Sequence, residues 1–127
     1  MTYLLDTNVF LWACAGRREL SPKARRICES PSASRVVSVA SLWEIITKCS
    51  IGKLSVRNPT EALPVWVAEL NARVLPLETS HAYAAYALPL VHRDPFDRML
   101  IAQAVAEGFT IVTRDERIHS YPVQWIW

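Results

Sequence analysis

Apolar residues along this chain follow two alternating patterns: short solid runs, and longer stretches in which they recur every three or four positions. The runs at 2–5, 35–38, 74–77 and 109–113 read as buried strands, with an edge strand predicted at 123–126. The longer stretches predict helices over 8–15, 22–29, 39–49, 61–71, 80–88 and 95–107, and a turn or short helix over 115–119. Gly16 ends the first helix, and Ser21-Pro22 opens the second, since proline lacks a donor that the first helical position would leave unsatisfied anyway. Gly52, Asn58-Pro59-Thr60 and Pro89 mark further boundaries, and Pro64 makes the start of the fourth helix hard to place. The best-defined helix begins at Pro95, with Asp94 as its cap, Asp97 in its first turn and Gly108 as its stop.

Strands separated by helices predict an α/β fold: a three-layer α/β/α sandwich around a mainly parallel sheet of four to five strands, with right-handed crossovers. The 127 residues suit a single domain over 1–127, and no repeat or low-complexity linker divides them. A hydrophobic content of 51% excludes a mainly disordered chain. No run approaches the roughly 18–20 apolar residues of a bilayer span, and Asp6 interrupts the first apolar run with no basic stretch before it. Cys14, Cys28 and Cys49 match no close-spaced metal motif and read as reduced thiols of a cytoplasmic protein.

The chemistry lies in where the acids fall. Asp6 closes the first apolar run and Asp115 the last clear one, while helical stretches between them supply Glu44 and Asp97. Residues just beyond the carboxyl ends of neighbouring parallel strands gather in one crevice. Four acids brought together repel one another unless cations neutralise them, so the pattern predicts a hard-metal site. Each acid also has a plainer role open to it. Asp6 and Asp115 can cap the helices that follow, and Glu44 can pair with Lys48 one turn on or complete a capping box with Ser41. Asp94, directly before a proline, is expected mainly to cap its helix, whereas Asp97 is expected to face the metal. Thr7, Asn8 and Thr113 are candidates to orient a carboxylate or a water, and Trp43 is expected to pack inward beside Glu44.

Fourteen basic residues against twelve acids give a formal charge of +2, too small by itself to identify a nucleic-acid binder. The local distribution is more informative: Arg93, Arg98 and Arg114 flank the acids as candidate phosphate contacts, and a basic stretch runs over 17–26. His81, His92 and His119 lack zinc-site spacing, and oxygen donors favour Mg²⁺ or Mn²⁺. There is no Gly-rich phosphate loop, and the five tryptophans form no interleaved aromatic–basic pattern.

The ordered set of motifs resembles the PIN-domain family, in particular VapC-type toxins of toxin–antitoxin pairs. Its parts are Leu4-Leu5-Asp6-Thr7-Asn8, the stretch from Ser38 to Ile45 with Lys48 and Gly52-Lys53-Leu54, Arg93-Asp94-Pro95-Phe96-Asp97-Arg98 running on to Ala104, Thr113-Arg114-Asp115, and Tyr121-Pro122-Val123. The resemblance covers nearly the whole chain. It implies an Mg²⁺- or Mn²⁺-dependent endoribonuclease, commonly a homodimer held inactive by a cognate antitoxin. The family acids fall on Asp6, Glu44, Asp97 and Asp115, and Glu116 stands where many relatives carry a further Asp. The implied chemistry is attack of an activated water on phosphorus, leaving a 5′-phosphate and a 3′-hydroxyl. The alternative is a non-catalytic RNA- or protein-binding regulatory domain whose acids hold a structural cation.

Overall fold

A computed structural model describes residues 1–127. Five strands, β1 (Thr2–Leu5), β2 (Ser34–Ser38), β3 (Ala72–Leu75), β4 (Thr110–Val112) and β5 (Trp125–Ile126), form one sheet in the order β3-β2-β1-β4-β5. Every pairing is parallel. The helices are α1 (Thr7–Ala15), α2 (Pro22–Glu29), α3 (Val39–Ser50), α4 (Pro59–Glu69), α5 (Thr79–Tyr86), α6 (Pro95–Glu107) and α7 (Glu116–His119).

Successive strand side chains point to opposite faces, and the central strands are apolar on both. Leu5, Val37 and Val112 enter one core with Val9, Phe10, Ile45, Leu63 and Val67. Their neighbours Leu4, Val36 and Ile111 enter a second core with Leu100, Ile101, Ala104 and Ile118. The sheet thus lies between two helical layers, as a three-layer α/β/α sandwich.

Several boundaries shift by one or two residues from the sequence expectation, and two of these shifts have a clear local cause. β3 runs over Ala72–Leu75 rather than 74–77, in register from Arg35↔Ala72 to Ser38↔Leu75. It is an edge strand in which Arg73 and Val74 are exposed, so it lacks the solid apolar signal of a central strand. The fourth helix begins at Pro59 rather than 61, because Asn58 turns the chain at φ 48° and its carbonyl accepts from Glu61 N and Ala62 N. Pro59 then sits where no donor is required.

One buried cation ties the layers together. Arg35, 4% exposed, donates to the carbonyls of Ile27 (2.8 Å), Ser30 (2.6 Å) and Leu70 (2.8 Å), joining β2 to the carboxyl ends of α2 and α4. All three cysteines are free; burial pushes the Cys14 thiol up to about 12 and the Cys28 thiol to about 11, which makes both poor nucleophiles. No helix is long and apolar enough to cross a membrane.

Candidate metal centre

β2 and β3 extend the sheet to one side of β1, and β4 and β5 extend it to the other. The chain therefore reverses direction across the sheet between β1 and β4, and at such a switch point the loops leaving the two strands diverge to open a crevice. Asp6 follows β1 and Asp115 follows β4, so both stand at its mouth. The resulting cleft, about 320 Å³, is lined by Asp6, Glu44, Asp94, Asp97 and Asp115, together with Thr7, Asn8, Trp12, Lys48, Arg114 and Arg117.

Capping and cleft-facing coexist in these acids. Asp6 Oδ1 accepts from Val9 N at 2.7 Å to cap α1. Asp115 Oδ1 accepts from Arg117 N at 2.9 Å to cap α7, while its Oδ2 receives Arg117 Nη2 at 3.1 Å. Asp94 Oδ1 accepts from Phe96 N (2.8 Å) and Asp97 N (3.3 Å) at the start of α6. Both oxygens of the buried Glu44 are engaged: Thr7 Oγ1 donates at 2.7 Å and Lys48 Nζ at 2.6 Å. The ion pair with Lys48 accompanies the inward orientation of Glu44 rather than replacing it.

The electrostatics are those of crowded carboxylates. Burial, with Asp94, Glu44, Asp6 and Asp115 adding repulsion, lifts the Asp97 carboxyl to about 7. Burial likewise lifts Asp6 to about 6, with Asp115 and Glu44 contributing and the Thr113 and Val9 hydrogen bonds opposing. For Asp115, burial raises the value, but the Arg117 hydrogen bonds and charge, with His92, outweigh it and hold the carboxyl below its ordinary value. The donor set is almost wholly carboxylate oxygen in a half-enclosed cleft, which fits a hard divalent cation.

Some expectations require correction. Arg98 does not face the cleft: its guanidinium donates to the carbonyls of Ala85 (3.0 Å) and Pro89 (2.9 Å) and to Tyr121 Oη (3.1 Å), anchoring the loop before α6. Arg93 lines a separate hollow with Leu90, Pro95 and Arg98. Of the three expected phosphate contacts, only Arg114 lines the cleft, with its guanidinium 4.6 Å from the centre of the Trp12 ring. Trp43 does not pack into the core; it is 60% exposed against Phe96, because the helix turn that buries Glu44 carries its neighbour outward. His92 and Arg117 had no claim from spacing, yet His92 Nε2 lies 2.9 Å from Asp97 Oδ2 and 3.2 Å from Asp115 Oδ2. The only sequence signal for His92 is its place just before Arg93-Asp94.

The two aspartates of α6 separate experimentally. Asp94→Ala removes a cap that receives two backbone donors, and should cost about 0.5–2 kcal/mol of stability in urea unfolding. Asp97→Asn removes a repelled charge and should leave metal-free stability at pH 8 unchanged or higher. The reverse order of stabilities would overturn this division.

A PIN domain family model matches residues 3–124. Ribonuclease VapC22 of Mycobacterium tuberculosis (strain ATCC 25618 / H37Rv) is 30% identical over 123 residues, covering 94% of this chain and 92% of that protein. Among solved structures, VapBC2 from Rickettsia felis bound to a DNA fragment from its promoter aligns with TM-score 0.75 and 15% identity, covering 99% of this chain and 98% of the other. A toxin–antitoxin complex from Klebsiella pneumoniae aligns with TM-score 0.68 and 15% identity, covering 98% and 96% respectively. At those identities the solved structures speak for the fold.

Proposed function

This chain belongs to the PIN domain family, and from that premise we propose that its 127 residues form one nuclease domain, a divalent-metal-dependent endoribonuclease acting as the toxin of a toxin–antitoxin pair. The observation that carries the reading is the convergence of four carboxylates from separate segments at the sheet's switch point, in a relative of a named ribonuclease. Asp6, Glu44, Asp97 and Asp115 would hold Mg²⁺ or Mn²⁺. When bound, such a cation supplies Lewis acidity that activates water and neutralises charge developing on a phosphate.

The chain's own residues supply the rest. Thr7 fixes one oxygen of Glu44 and Thr113 supports Asp6, so the carboxylates are held before substrate arrives. Lys48, Arg114 and Arg117 put cationic donors around the acids, where an RNA phosphate would approach. Arg114, held over Trp12, is the strongest candidate for a fixed phosphate contact.

Self-association and a cognate antitoxin belong to the same reading. Trp43, Tyr83 and Tyr86 are 60%, 75% and 95% exposed, and large exposed aromatics support a surface that a partner covers. The test is RNA cleavage with Mn²⁺, with EDTA, and after co-purification with the neighbouring gene product. Cleavage that needs the cation and is suppressed by the partner is expected. Undiminished cleavage in EDTA would defeat the metal reading, and an indifferent partner would defeat the regulatory one.

A further inference from the structure

One buried group among the acids is not itself an acid. His92 is 3% exposed and stands between Asp97, at the start of α6, and Asp115, beyond β4. Its Nε2 makes a hydrogen bond with Asp115 Oδ2 at 3.2 Å, and Asp97 Oδ2 lies beside it at 2.9 Å. A ring nitrogen so close to two carboxylates can act in two ways: it can bind a cation with them, or it can hold them in place.

The other ring nitrogen separates these roles. Nδ1 accepts a hydrogen bond from the Asp94 backbone N–H at 3.2 Å. An accepting nitrogen carries no proton, so the neutral ring keeps its hydrogen on Nε2 and presents a donor to the carboxylates. Binding a cation through Nε2 would move that hydrogen to Nδ1, where it would meet the Asp94 N–H donor head-on. The backbone that carries the ring is also fixed. Tyr121 Oη, itself 4% exposed at the residue level, accepts from His92 N at 2.8 Å and from Arg98 Nη1 at 3.1 Å.

Resting on the metal reading above, we propose that His92 is a positioning residue: its Nε2–H is hydrogen-bonded to Asp115 while Asp97 lies against the same nitrogen, so the ring holds the two as an oxygen ligand pair and is not itself a metal ligand. The acids that meet there come from segments on different elements, and this one ring joins them. The donor set therefore stays all-oxygen, which favours Mg²⁺ and Mn²⁺ over the nitrogen-seeking Zn²⁺.

The experiment is Mn²⁺ binding by calorimetry at pH 8 on the whole chain, comparing the unsubstituted protein with His92→Ala and His92→Gln. Pulsed electron-spin spectra of the Mn²⁺-loaded protein accompany it. His92→Ala should weaken binding by about 10–100-fold, as loss of an outer hydrogen-bond partner does. His92→Gln, whose amide can place a donor near the former Nε2–H, should recover most of that loss. The spectrum of the unsubstituted protein should contain no directly bound nitrogen. A bound-nitrogen signal that disappears in His92→Ala would make His92 a ligand and overturn the proposal, as would unchanged affinity in that variant. If His92→Ala fails to fold, the Gln variant and the unsubstituted spectrum still decide. Failure of the underlying reading looks different: the unsubstituted protein binds no Mn²⁺, or binds it equally after Asp6→Asn, and the inference then falls with the metal centre.

Discussion

Asp6→Asn should slow RNA cleavage by more than about a hundredfold, beyond the 10–100-fold typical of an outer partner, while raising the unfolding temperature of the metal-free protein at pH 8. The two effects share one cause. Asn keeps an oxygen in place for Val9 N, so the cap of α1 survives. It removes a buried charge that Asp115 and Glu44 repel. The protein loses a metal-binding oxygen of full charge and is relieved of a repulsion that only a cation or a proton otherwise offsets. Cleavage of a labelled RNA and a thermal melt in EDTA measure the pair. Activity and stability falling together would mean that Asp6 is chiefly a structural cap.

Metal-free stability should decline as pH rises from about 4 to about 7.5, and Mn²⁺ should restore it at the upper end. Asp6 and Asp97 have folded values near 6 and 7, against an ordinary 3.8. Between those limits the folded state binds more protons than the unfolded one, so the slope of unfolding free energy against pH is negative. Above about pH 8 both carboxyls are ionised in either state and their contribution flattens. Asp115, held below its ordinary value, acts only in more acid solution and does not alter this window. A cation that binds only the folded protein adds about 2.7 kcal/mol at a hundredfold excess over Kd, equivalent to several degrees in Tm. At pH 5.5 protons compete for the same oxygens, so the gain should be much smaller. Melts across pH, with and without Mn²⁺, check this; an equal gain at pH 5.5 and pH 8 would place the cation elsewhere.

Strands buried on both faces were legible because Leu4-Leu5, Val36-Val37 and Ile111-Val112 leave no polar alternation to misread. The apolar pattern starts β3 two residues late because its half-exposed edge begins with Ala72-Arg73, which carry no apolar signal. The acids could be found because residues at element ends in an alternating α/β pattern converge whatever their separation along the chain. Arg98 and Trp43 show the limit of such reading. Sequence placed both beside the site, but the direction of a side chain depends on which carbonyls or apolar neighbours surround it. His92 was the harder case, since its contact with Asp115 exists only once β4 has taken its place beside β1.

β4 lies between β1 and β5, although it is among the last strands in the chain. During synthesis the amino-terminal half can collapse around β1 and β2 long before residue 115 is made, but that half holds only Asp6 and Glu44. Insertion of β4 carries the last acid into the crevice, so the complete set of carboxylates appears only after residue 115 has been made and β4 has docked. A nascent chain that stops short of β4 has no assembled centre with which to attack RNA.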